Sequence, residues 1–97
     1  VNEFRGLRFD DFAAAHRAEG FDEVIEREWA PGLVVDEHTH PFGVKALVGR
    51  GSFVLGYGGL QRALQAGDRF ELDADVPHTE HYGPEGAAYW VARRNPR

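Results

Sequence analysis

The residues whose types and spacing can do chemistry are His38, His40, His78 and Glu80. A β-strand alternates its side chains with a period of two, so in extended chain His38 and His40 share one face. The same parity groups His78 with Glu80 in the block Pro77-His78-Thr79-Glu80-His81 and turns Thr79 and His81 to the other side. Imidazole is a frequent ligand for first-row transition metals, and three imidazoles that leave positions open to water or substrate form a recurrent catalytic arrangement. The chain has no cysteine, so a metal here is held by histidine, carboxylate or water. His38, His40 and His78 supply such a set if their strands are neighbours, with Glu80 as a fourth ligand or a general base.

Four of the five histidines fall in two short windows, each where a strand meets a proline-containing turn. The competing reading is that these imidazoles end strands and bond to backbone groups, and His-x-His alone is too short a motif to separate the two. His16 stands apart from other ligand types and reads as a surface or packing residue. Asp36 has the parity of His38 and is either an orienting partner for an imidazole or an exposed strand-end carboxylate.

The elements that must position these residues are mostly strands. Phe9 to Gly20 reads as a short helix, with Asp10 or Asp11 as cap and Gly20 as stop. Its stripe Phe9, Phe12, His16 needs a larger body to dock on. Strands are expected over 21–29, 33–39, 44–48, 52–57, 60–65, 69–72, 78–82 and 87–93, separated by Pro31-Gly32, Pro41-Phe42-Gly43, Gly49-Arg50-Gly51, Gly58-Gly59, Ala66-Gly67-Asp68, the 73–77 loop and Gly83 to Gly86. In the second of these strands Val34, Asp36, His38 and His40 are expected on one face, and Leu33, Val35 and Glu37 on the other. Eight short strands with one helix at the start point to an antiparallel sandwich or barrel, hence an all-β fold. Phe42, Phe53, Tyr57, Phe70, Tyr82, Tyr89 and Trp90 are expected in its lining, and Trp29 on the outside of a sheet or at a dimer interface.

The 97 residues suit a single domain, 1–97, with a helical arm over 1–20 and the barrel over 21–97. The net charge of −5, with ten arginines and one lysine scattered along the chain, offers no basic stripe to nucleic acid. No apolar run is long enough to cross a bilayer and no leader segment is visible, so a cytoplasmic protein without membrane contact is expected. No nucleophile constellation and no phosphate-binding glycine loop appear.

The wider spacing resembles that of the cupins. Their first motif is a glycine, five residues, His-x-His, a short gap, a glutamate, six residues and a glycine; Gly32, His38, His40 and Gly51 keep that spacing. Gly67-Asp68 and His78 hold the register of the second motif, with Asp73 and Asp75 where the family often has proline and glycine. The likeness spans about Glu26 to Arg93 and is strongest to small single-domain bacterial cupins. It implies a double-stranded β-helix, or jelly roll, with the site inside the barrel, and a homodimer. One departure bears on the site: Val44 and then Lys45, the only lysine, stand where the family offers its glutamate ligand. Lys45 is expected to face solvent with Val44 inward, because burying an unpaired ammonium is costly.

Two functions follow. One is a cupin with a three-histidine divalent-metal site (iron, manganese, zinc or nickel) acting on a small organic substrate. The other is a non-catalytic small-molecule binding or sensing cupin whose metal site is degenerate or empty.

Overall fold

The computed structural model describes residues 3–96; Val1, Asn2 and Arg97, at the ends of the expected domain, lie outside the described residues. In order, the elements are β1 (Glu3–Phe4), β2 (Leu7–Arg8), α1 (Phe9–Ala18), β3 (Glu23–Trp29), β4 (Val34–His38), β5 (Gly43–Tyr57), β6 (Leu60–Gln65), β7 (Arg69–Leu72) and β8 (His78–Arg94). Among the described residues, no helix is long and apolar enough to cross a membrane.

The small β1–β2 hairpin before the helix carries no period-two signal, which two-residue strands are too short to show. Arg8 occupies the helix cap position without a side-chain hydrogen bond, so Asp10 and Asp11 are not caps. They lie in the first turn, where negative charge faces the exposed amide hydrogens.

The helix docks through Phe12, Ala13 and His16 on an outer core that includes Phe4, Phe21, Val24, Leu47 and Trp90. Trp90 is fully enclosed there: Phe4 stacks on it at 4.3 Å, Phe9 meets it edge-on at 5.5 Å, and its indole N–H donates to Glu26 Oε2 at 3.0 Å. It therefore belongs under the helix rather than in the barrel lining. His16 is a packing residue, its Nδ1 bonded to the Phe12 carbonyl at 2.8 Å.

The main sheet runs β3-β8-β5-β6, with β4 also paired to β8 and β7 to β5, every pair antiparallel. The fold is the expected all-β double-stranded β-helix, but its main sheet has six strands where eight were expected, two of them much longer. Gly49-Arg50-Gly51 and Gly83 to Gly86 are bends inside β5 and β8 rather than turns between strands. The β5–β8 register shifts between Val48 and Arg50 and again between Gly51 and Phe53. Such bulges reset parity. Val44, Ala46 and Val48 face the barrel before the bend, and Phe53 and Leu55 after it. On β8 the inward set changes from His78, Glu80 and Tyr82 to Ala87, Tyr89 and Val91. The far face of that second half, Ala88, Trp90 and Ala92, belongs to the outer core.

The two bends lie against each other. Gly51 has φ +74° and Gly86 φ +67°; a Cβ on Gly51 would strike the Gly86 carbonyl, and one on Gly86 would strike the Trp29 carbonyl. Backbone cannot yield as a flexible side chain does. Gly51→Ala is expected to cost more than about 2 kcal/mol, from left-handed strain with the clash added. Gly58→Ala, where φ is also positive but nothing lies within 4 Å, is expected to cost about 1 kcal/mol. Urea unfolding of the two variants checks the ordering; equal losses would show that the bends do not need their close approach.

Candidate metal centre

Each imidazole enters the barrel by a different local device. Leu33, just before β4, and Val35 within it face the core while Val34 is 54% exposed, so Val34 does not share the face of His38 as expected. The register with β8 shifts between Val35 and His38, so Asp36 and Glu37 both face out and His38 returns inward. The Asp36 carboxylate is therefore not the partner of His38. Its main-chain carbonyl is, accepting from His38 Nδ1 at 2.8 Å.

His40 lies just past the strand, its ring stacked on Phe42 at 4.2 Å with an interplanar angle of 1° and its Nδ1 bonded to the Phe42 carbonyl at 3.0 Å. The His40 carbonyl in turn accepts from the Asp75 N–H at 2.9 Å. Asp75 has φ +64°. It fills the family's glycine position in the conformation that glycine favours, one that a short polar side chain also tolerates.

His78 opens β8 directly opposite His38, and its Nδ1 bonds the Val76 carbonyl at 2.8 Å. All three rings are thus tied at Nδ1 to a main-chain carbonyl. A carbonyl only accepts, so each Nδ1 carries the hydrogen and each neutral ring presents an Nε2 lone pair.

His38 and His78 have ring centroids 4.2 Å apart, and His40 and His78 4.9 Å apart. Ligand atoms of His38, His78 and Glu80 all lie within 4.8 Å of one another. His40 borders this group through His78, while His81 is exposed on the opposite face of β8. Glu80 is buried; one oxygen accepts a short hydrogen bond from the Tyr82 hydroxyl, and the other lies 3.6 Å from His38 Nε2. That separation is too long for a hydrogen bond. Two acceptors therefore face each other, an arrangement that favours a cation or a proton between them. The donor set, nitrogen lone pairs with one buried carboxylate, fits a divalent transition metal.

Burial sets the protonation states around the group. It lowers the pKa of His40, against the opposing Phe42 carbonyl bond and with help from the neighbouring His78, His38 and Arg93 charges. The same desolvation raises Tyr82 well above its ordinary value and pushes Tyr89 up to about 12, with the negative charge of Glu80 acting in the same direction on both. Both phenols stay protonated at neutral pH.

The ligand atoms open on a cavity of roughly 170 Å³. Val44, 6% exposed, lines it, and Lys45 points away to Glu19 with Nζ to Oε1 3.2 Å, as expected from the cost of burying an ammonium. Strand β5 therefore brings no acidic ligand. Arg27, Trp29 and Arg93 also line the cavity and were missed in the sequence as site residues. Arg27 and Trp29 share a parity on β3, so the signal was there, but nothing local says which face of an edge strand turns inward. Trp29 is accordingly a cavity residue, stacked on Tyr82 at 5.4 Å, and does not cover the outside of a sheet.

The double-stranded β-helix with histidines and a carboxylate converging inside it defines the class: this is the cupin fold. No family model and no curated protein matches the chain. Solved structures do. An RmlC-like cupin from Shewanella frigidimarina superposes with a TM-score of 0.66 at 23% identity, over 76% of this chain and 66% of that one. A predicted oxalate decarboxylase from Thermotoga maritima gives 0.68 at 17% identity, over 84% and 73%. The DMSP lyase DddQ from Ruegeria pomeroyi gives 0.64 at 22% identity, over 74% of this chain and 36% of the lyase. The chain spans about two thirds of the Shewanella protein's length and about a third of the lyase's.

A lowered His40 pKa makes stability depend on pH. The unfolded state, near the ordinary 6.5, takes up the proton first, so this residue's contribution to stability falls as pH drops below 6.5. Metal-free protein is expected to lose urea resistance between about pH 7.5 and about pH 5.5, and His40→Gln to lose less. An equal loss in the variant would place the titration elsewhere.

Proposed function

We propose that this chain is a metal-holding cupin domain that acts on a small organic substrate, with His38, His40 and His78 as nitrogen ligands and Glu80 completing the set. The observation that carries the reading is the convergence of the ligand atoms of His38, His78 and Glu80 within 4.8 Å of one another. The Nδ1 bonds to backbone carbonyls, which a structural role would also make, leave each Nε2 free. Orientation of this kind is what ligating imidazoles require. Iron, manganese, zinc and nickel all suit three imidazoles and a carboxylate. A bound divalent ion supplies Lewis acidity toward a substrate in the cavity.

The chain's own groups have separate tasks in this reading. Tyr82 holds one Glu80 oxygen, leaving the other to face the ligand group as ligand or as general base. The apolar wall, Val44, Leu55, Phe70 and Leu72 among others, keeps water from that end of the cavity. The similar structures described as a DMSP lyase and a predicted oxalate decarboxylase support an enzymatic role. A second reading, a non-catalytic binding or sensing domain, is favoured by Val44 in the acidic-ligand position, which leaves the site one anionic ligand short.

Protein purified without a nickel column is expected to retain or take up one equivalent of divalent metal by elemental analysis. His38→Ala and His78→Ala are expected to weaken it by at least about tenfold, with His16→Ala unchanged. Only trace metal after incubation with iron, manganese, zinc or nickel would sink the proposal. Full binding by the His78→Ala protein would show that the two histidine windows do not act together.

A further inference from the structure

Two arginines in the cavity have no part in the metal reading. Arg27 lies on the inward face of β3 opposite Tyr89, and Arg93 on the inward face of β8 between Glu23 of β3 and Val44 of β5. The Arg93 guanidinium covers Phe42 at 4.6 Å, the same ring that stacks on His40. Its Nη1 meets Glu23 Oε1 at 3.2 Å, but its Nε is buried with no hydrogen bond. Arg27 lies over the Trp29 ring at 4.6 Å, and among the described residues no carboxylate forms an ion pair with it. Trp29 Nε1 is also buried and is directed to the Tyr89 hydroxyl, so it is not among the free donors.

An unpartnered Arg93 donor and the Arg27 guanidinium, which has no ion pair among the described residues, therefore meet around one small space. Among the described residues Glu80 is the only carboxylate in its lining, against two guanidinium groups. The usual acidic residue of β5 would have stood directly across from Arg93; Val44 there leaves Arg93 uncompensated from that side. A buried donor without a partner is costly, so a ligand that accepts from these groups recovers that cost. The planar guanidinium fork matches a carboxylate. A cavity of about 150 Å³ takes benzene, so this one suits an organic molecule of roughly six to ten non-hydrogen atoms.

We infer that the ligand of this cavity is a small organic carboxylate, recognised by Arg93 and Arg27, with its remaining atoms toward the histidines. The inference rests on the cavity being the ligand site proposed above, but it does not require the metal.

Calorimetric titration of metal-free protein tests it with succinate, succinamide and inorganic phosphate. Succinate is expected to bind, with succinamide and phosphate at least about tenfold weaker. Arg93→Gln and Arg27→Gln are each expected to weaken succinate by at least about tenfold, while metal stoichiometry stays that of the wild type. Should a glutamine variant fail to fold, Arg93→Lys, which keeps the charge and loses the fork, is expected to fall between. Undetectable succinate binding, succinamide as tight as succinate, phosphate as tight as succinate, or full affinity in both glutamine variants would each overturn the inference. Metal titration of the same wild-type protein reports separately: its failure removes the metal and leaves the carboxylate assignment standing.

Discussion

The hydrogen-bonded ladder between β5 and β8 is the constraint on which the other elements depend, because these two strands contribute to both hydrophobic cores and every other strand of the main sheet pairs with one of them. Each passes through a glycine-bearing bend, and the bends meet with Gly51 against the Gly86 carbonyl. The bulged register keeps apolar side chains directed into the barrel on both sides of the bend. It also releases Ala88, Trp90 and Ala92 to the opposite face, where the helix finds its docking surface. Both cores thus hang on one ladder, and so does the site, since His78 and Glu80 lie on its first half and Val44 and Arg93 on its other end.

The site itself is set by main-chain carbonyls more than by side-chain partners. Asp36, Phe42 and Val76 each contribute a carbonyl that fixes an imidazole tautomer. Because the backbone there is held by strand pairing and by the Asp75 contact to His40, the rings are oriented before any ligand arrives. Desolvation then favours neutral His40 and protonated tyrosines. Glu80 faces His38 across the ligand group, while Arg27 and Arg93 bring guanidinium groups to the same cavity.

Much of this was legible in the residues. The shared inward face of His78 and Glu80, the short helix, the Gly58-Gly59 turn between β5 and β6, and the outward Lys45 follow from period-two alternation, turn chemistry and the cost of burying charge. The bends read as turns because Gly49 to Gly51 and Gly83 to Gly86 carry the same residues that end strands. Nothing local reveals that the ladder continues through them. Val34 and Asp36 were grouped with His38 for a related reason: alternation fails at a bulge, and a bulge is defined by the partner strand.

What the sequence determined by itself was the donor chemistry and its spacing: no thiolate, two histidine windows, a carboxylate in step with His78, and valine where an acidic ligand is usual. The tertiary structure alone decided which faces turn inward, that Arg27, Trp29 and Arg93 share the histidines' cavity, and that Trp90 leaves the barrel for the helix. The physical reason is that spacing along a strand is a covalent property. The inward face, the bulge and the cavity arise only when strands far apart in the chain pair, and their register decides which side chains meet.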